Sequence, residues 1–185
     1  MAGQIFAYIT HKEGKADDTA LELVKAAGKI FPDAPFTAIV TGAGADLDAV
    51  CNEVAASYKE VWKFDNQALT YPNAEAVRKL LVNALPQDAV VFCGHDTFGM
   101  DLAPGLAIKM DSVFLPDVVD FDGLDGDTIK VIRQEYSGQI STHVTGDISA
   151  GAVINIRPGA FQPDEAGSAG GQVVDKTSEA GARAK

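Results

Sequence analysis

The stretch Ala89–Met110, AVVFCGHDTFGMDLAPGLAIKM, decides the fold. Its first five residues form a continuous apolar run, the mark of a strand covered on both faces, as in a parallel sheet. A loop of Gly, His, Asp and Thr follows. The spacing then predicts a helix from Leu102, with Asp101 capping the free amides of the first turn and Pro104 tolerated there because proline has no amide to leave unpaired. Working outward, the same strand-then-helix unit recurs. The runs IFAYI (5–9), FTAIV (36–40) and VWKF (61–64) read as strands. Between them Ala20, Leu23, Val24, Ala27 and Phe31, then Leu47, Val50, Cys51, Val54 and Tyr58, then Val77, Leu80, Leu81, Ala84 and Leu85 follow the spacing of amphipathic helices. Four alternations with right-handed crossovers make an α/β fold, a doubly wound, mainly parallel sheet with helices on both sides.

Beyond Met110 the pattern changes. Asp125-Gly126 and Ser137-Gly138 are turn-forming pairs beside segments of high strand propensity such as 128–136. The C-terminal part is expected to be antiparallel hairpins appended to the parallel sheet, closing with AVINIRP (152–158). After Phe161 the only apolar pair is Val173-Val174. Such a segment buries too little surface to offset an ordering entropy of roughly 1–2 kcal/mol per residue. Residues 162–185 therefore read as a flexible linker, and deleting 164–185 is expected to leave the melting temperature nearly unchanged.

Composition narrows the function. A chain of 185 residues, 46% hydrophobic and 22% charged, has room for one well-packed domain. The net charge of -11, with 15 basic residues scattered among 26 acids, argues against nucleic acid, which needs clustered Lys and Arg. No apolar run approaches the roughly 20 residues that span a bilayer, and MAGQIFAYIT lacks the basic start of a signal peptide. Cys51 and Cys93 lie in apolar runs and fit buried thiols in a reducing compartment, so the expected location is cytoplasmic, without membrane insertion. His11, His95 and His143 have no second ligand at metal spacing, and there is no G-x-S-x-G elbow, so neither a metal nor a catalytic residue is assigned. The acids Asp117 and Asp120, like Asp125 and Asp127, read as solvated turn residues.

Two loops merit weighing as anion sites. Gly42-Ala43-Gly44-Ala45-Asp46 lacks the third glycine of a dinucleotide fingerprint, and Asp46 would repel phosphate, so a simple capped turn is the better reading. The second runs from Gly94 to Gly99 at the carboxyl end of a strand, where open α/β sheets bind ligands. Gly94, His95, Thr97 and Gly99 form a candidate weak nucleotide or anion loop, disfavoured by Asp96 and Asp101 beside it; the competing reading is a well-capped turn. Arg157 ends an apolar strand before Pro158, suited to bidentate pairing across an interface, with Tyr136 and Phe161 offering apolar surface nearby.

Several motifs together resemble the alpha subunit of electron transfer flavoproteins. GMDLAPGLAIKM (99–110) is similar to that family's Gly-Arg-Asp-Leu-Ala-Pro-Arg-Leu-Ala, RPGAF (157–161) to its Arg-Pro-Gly-x-Phe, and RQEYSGQ (133–139) to its Arg-x-x-Tyr-x-Gly-Asn. Asp65, Leu69, Tyr71 and Glu75 match a further Asp-x-x-Leu-x-x-Tyr-x-x-Glu segment. Met100 and Gly105 depart from it, standing where arginines are common. The resemblance implies an adenine-nucleotide-hydrolase-like fold over residues 1–161, with 162–185 an interdomain linker and the FAD-binding C-terminal domain absent. It implies a non-catalytic scaffold that docks on a beta subunit through Tyr136, Arg157 and Phe161. The intact heterodimer would carry FAD and shuttle electrons from dehydrogenases to an acceptor, while this chain alone would hold no cofactor. The beta-subunit counterpart of the Gly94–Gly99 loop binds AMP in that family. The alternative is a free-standing adenine-nucleotide-binding protein or hydrolase of the same fold; THKEGKADD (10–18) stands where a pyrophosphatase loop S-G-G-x-D-S would be, which counts against it.

Overall fold

The computed structural model describes residues 3–163 and 170–181. The four apolar runs form strands β1 (Ile5–Tyr8), β4 (Phe36–Gly42), β5 (Glu60–Asp65) and β6 (Val90–Gly94). Helices α1 (Thr19–Ile30), α2 (Gly44–Val54), α3 (Ala74–Ala84) and α4 (Thr97–Met110) alternate with them. A two-stranded ribbon of β2 (His11–Lys12) and β3 (Lys15–Ala16) decorates the loop after β1. The expected α/β architecture is present: β1 pairs in parallel with β4 on one side and β6 on the other. The chain leaves β1 in one direction and β6 in the other, so a crevice opens at their carboxyl ends.

Two apolar clusters sandwich the sheet. One, with Ile5, Ala7, Val40 and Phe92 facing α1 and α2, contains Leu23, Leu47 and Val50. The other, with Phe6, Ile39 and Val91 facing α3 and α4, contains Leu81, Leu102 and Leu106. Residues alternate between the faces along each strand, and so the continuous apolar runs are satisfied on both sides.

The first helix boundary to differ is that of α4. It starts at Thr97, with the Asp96 carboxylate accepting the Gly99 amide at 2.7 Å, and not at Leu102 behind Asp101. Pro104 therefore sits inside the helix and removes one internal bond, that to the carbonyl of the exposed Met100.

The C-terminal region joins the same sheet. Strands β7 (Val113–Asp125), β8 (Thr128–Glu135) and β9 (Ile140–Asp147) form the expected antiparallel hairpins, turning at Asp125-Gly126 and around Ser137-Gly138. The strand β10 (Ala152–Ile156) is different: it runs parallel between β6 and β7, buried throughout. Its apolar run, broken only by Asn155, is the signature of that central position.

The largest correction concerns the tail. Residues 172–175 form β11 (Gln172–Asp175), parallel to β5 at the sheet edge, and a 3-10 turn (Thr177–Gly181) follows it. The low apolar content hid this because main-chain pairing, which composition does not report, supplies most of the contact. Residues 164–169 and 182–185 of the expected linker lie outside the described residues.

Candidate functional site

The crevice between β1 and β6 is a cleft of about 340 Å³. Its walls include Tyr8, His11, Asp17, Thr41, Asp96 and Phe98. The Tyr8 and Phe98 rings stack with centroids 5.5 Å apart, and the Tyr8 hydroxyl shares a 2.8 Å hydrogen bond with Thr41. Burial pushes the Tyr8 phenol well above its ordinary pKa, so it stays neutral. His11 Nε2 donates to the Thr41 carbonyl at 2.8 Å, which fixes the ring against the end of β4.

The loop from Gly94 to Gly99 forms the rim of this cleft, and two of its backbone donors are committed within the chain. His95 N–H donates to the Ile156 carbonyl at 2.7 Å, and Gly99 N–H to the Asp96 carboxylate. A carboxylate thus occupies the helix terminus where a phosphate would sit. Thr97 stands in the first turn with an exposed side chain. Gly99 has a packing role: a Cβ there would lie 1.9 Å from the Gly94 carbonyl oxygen. The other loop is similar, with Gly44 N–H pointing at the Asp65 carboxylate at 3.4 Å.

Beneath this loop runs a polar chain that crosses the β6–β10 boundary. Cys93 Sγ donates to Asn155 Oδ1 at 2.9 Å, and Asn155 Nδ2 donates to the Gly99 carbonyl at 3.1 Å. Asn155 is fully buried, and it is a residue that reading the sequence passed over although a lone amide inside VINI was the available signal. Burial raises the Cys93 thiol far above its usual range and pushes Cys51 up to about 11, so neither is a thiolate at neutral pH.

Arg157, Tyr136 and Phe161 differ in what they present to a partner. Phe161 is core, 7% exposed and packed on Phe121 at 5.7 Å. Arg157 is engaged within the chain: Nε and Nη2 grip both oxygens of Asp117 at 2.8 and 2.6 Å, Nη1 reaches Gln134 Oε1 and Nη2 the Gln134 carbonyl. It is therefore a clamp joining the end of β10 to the interior of β7 and the end of β8. Asp117, read from sequence as a solvated turn residue, is its partner and adopts a left-handed backbone with φ 57. Tyr136 alone is open, 73% exposed at the tip of the β8–β9 hairpin.

The clamp makes a pH prediction. The Arg157 guanidinium holds the Asp117 carboxyl below its ordinary range, so its contribution to stability is present above about pH 4 and is lost as pH falls through the lowered value. Arg157→Ala is expected to cost about 2–3 kcal/mol at pH 7. The difference from the parent should shrink at pH 3; urea midpoints at the two values check this.

The departures from the arginine-rich motif also have a geometric account. A Cβ on Gly105 would lie 2.5 Å from Cζ of Arg78, so the guanidinium from α3 occupies the space over α4, and Arg78 Nη2 donates to the Asp101 carbonyl at 2.8 Å.

Comparison with known proteins agrees with this architecture. The sequence profile described as electron transfer flavoprotein domain matches residues 5–181. The chain belongs to the electron transfer flavoprotein family. It is also similar to a probable electron transfer flavoprotein subunit alpha, mitochondrial, of Cryptococcus neoformans var. grubii, 28% identical over 159 residues, covering 83% of this chain and 44% of that protein. The chain thus spans less than half the length of that relative. The family resemblance carried by the sequence motifs is upheld, and the β11 strap falls inside the matched region.

The two loops weighed above as anion sites suit the pyrophosphate of the flavin associated with the family poorly. Each, after β6 and after β4, directs an amide at a carboxylate of this chain, Asp96 or Asp65, where a dinucleotide's pyrophosphate would need free donors. Among the described residues no cluster of His, Cys, Asp or Glu is arranged to hold a metal, and no helix is long and apolar enough to cross a membrane.

Proposed function

We infer that this chain is the amino-terminal scaffold and docking domain of an electron transfer flavoprotein alpha subunit. It works without a catalytic site of its own. The intact protein pairs with a beta subunit, and the heterodimer carries FAD and passes electrons from dehydrogenases to an acceptor. The observation that carries this reading is the family match running from β1 through the strap, on a chain whose two candidate anion loops each direct an amide at one of its own carboxylates. We assign it to a reducing aqueous compartment, the cytoplasm by default, which suits the free buried thiols of Cys51 and Cys93.

A second reading rests on the cleft. Its stacked rings and hydroxyl pair, beside the loop of Gly94, His95, Thr97 and Gly99, suit a weakly held nucleotide. Asp96 opposes the phosphate, so this site is subordinate.

The test is co-expression with a beta subunit of the same source. The chain is expected to co-purify with it as a stable complex, while the chain purified alone is colourless and takes up no added FAD by calorimetry. Stoichiometric flavin on the isolated chain would overturn the scaffold assignment. Tight AMP or ATP binding by the isolated chain would favour the second reading.

A further inference from the structure

The cleft between β1 and β6 holds a proton that its own residues do not place. Tyr8 and Thr41 line it, 6% and 4% exposed, and their hydroxyls share a single hydrogen bond. Burial keeps the phenol protonated. Two hydroxyls bring two protons and the shared bond uses one; neither side chain makes another hydrogen bond among the described residues. A buried O–H without an acceptor costs free energy, and an acceptor atom in the cleft would remove that cost.

The acids make the opposite demand. Asp17 and Asp96 stand in the same walls, and the Asp96 charge acts on the Tyr8 phenol. Asp96 Oδ1 accepts the Gly99 amide, but Asp96 Oδ2 and the Asp17 carboxylate make no hydrogen bond or ion pair among the described residues. The start of α4 abuts the cleft, and so does that of α1, since a Cβ on Gly94 would lie 3.7 Å from Thr19. Each helix start brings about half a positive charge against a full negative charge on each acid, so the balance stays negative. The remaining wall is aromatic: Phe98, stacked on Tyr8, is only half-buried and lines the cleft.

We propose that this cleft binds a small aromatic amine, whose ammonium donates to Asp17 and Asp96, whose ring lies against Phe98, and whose acceptor atom takes the spare Tyr8–Thr41 proton. A cleft of about 340 Å³ suits a molecule of that size. The aromatic wall favours a cation as well as a ring. The same acids that oppose a nucleotide's phosphate here favour an ammonium, so this site and the weak-nucleotide reading compete for one cleft. The scaffold role stands whichever of them holds.

The probe is tyramine, with 4-ethylphenol and 4-hydroxyphenylacetate as analogues that keep the ring and hydroxyl but carry no charge or a negative one. Calorimetric titration of the purified chain at neutral pH and low salt should show tyramine bound about tenfold or more tightly than 4-ethylphenol, and neither 4-hydroxyphenylacetate nor AMP bound. Asp17→Asn changes an exposed carboxylate that bonds nothing, and Asp96→Asn keeps a capping oxygen for the Gly99 amide. Each should melt near the parent and bind tyramine about three- to tenfold more weakly. Asp33→Asn removes the same charge beyond the far end of α1 and should leave affinity unchanged, which separates a built site from general attraction to a chain of net charge -11. If Asp96→Asn does not fold, Asp17→Asn decides alone. No tyramine binding up to about 10 mM overturns the proposal, as does equal affinity for 4-ethylphenol. It is also overturned if the cleft variants bind like the parent, or if Asp33→Asn loses as much as they do. AMP bound more tightly than tyramine overturns it in favour of the nucleotide.

Discussion

Gly99→Ala is expected to lower the melting temperature by about 6–12 °C, from a cost of about 3 kcal/mol or more. The added methyl would lie 1.9 Å from the Gly94 carbonyl oxygen, and that oxygen belongs to the end of a central strand held on both sides. Neither side of the contact is a flexible tip. Relief requires α4 to move away from β6, which stretches the Asp96 cap on Gly99 N–H and the Asn155 bond to the Gly99 carbonyl. Gly28→Ala is the control. Gly28 is exposed on α1 with nothing within 4 Å of a new Cβ, so alanine should stabilise by about 0.5–1 kcal/mol through helix propensity and a less flexible unfolded chain. Thermal unfolding followed by circular dichroism separates the two. Equal melting of Gly99→Ala and the parent would show that α4 does not rest on the strand end as described.

The same glycine shows what sequence can and cannot disclose. A glycine six residues after a strand, ahead of a helix, fits a phosphate loop and fits a close helix–strand approach equally well, because both need a missing side chain. Only the position of the Gly94 oxygen chooses between them. The start of α4 was ambiguous for a related reason: Asp96 and Asp101 are both competent caps, and Pro104 is at home one turn after the second. The tertiary contact at Gly99 settles it in favour of Asp96. By contrast, the parallel strands were legible because a strand buried on both faces must be apolar at consecutive positions, and the shortness and β-branched and aromatic content of these runs separate them from a buried helix.

Long-range partners were the illegible part. Arg157 was recognisable as a guanidinium placed for bidentate pairing, but its carboxylate is 40 positions away in a segment that reads as a turn. The chemistry was therefore legible and the address was not: the carboxylate that Arg157 grips lies within its own chain. Phe161 followed the same path: an aromatic at the end of a strand is equally fit for a surface or a core, and its neighbour Phe121 decided for the core. Tyr136 kept its exposure because the hairpin tip lies beyond the reach of either core cluster.

Removing residues 164–185 is expected to lower the melting temperature by at least about 5 °C, opposite to the outcome expected from composition. The strap carries few apolar side chains, yet its main chain is bound at both ends. Gly171 N–H donates to the Ala55 carbonyl at 2.8 Å, Gln172 N–H to Lys59 at 3.1 Å and Lys176 N–H to Lys63 at 2.8 Å. In return, Asp65 N–H donates to Thr177 Oγ1 at 2.9 Å. Lys176 lies over the Trp62 ring at 5.0 Å and pairs with Glu179, which covers an aromatic that would otherwise stand open at the sheet edge. At about 0.5–1.5 kcal/mol for each hydrogen bond, these four alone contribute about 2–6 kcal/mol, and with the entropy of ordering the strap set against them and the β11 ladder the deletion should show a net loss of about 2–4 kcal/mol. The shortened chain should also aggregate on heating, because β5 would become an unpaired edge. Gly171→Ala tests the same contact without truncation: its Cβ would lie 1.8 Å from the Tyr58 carbonyl oxygen, so the strap should detach and Trp62 fluorescence shift to that of an exposed indole. If both variants melt with the parent, the strap is not bound to β5 in solution and the compositional reading of the tail stands.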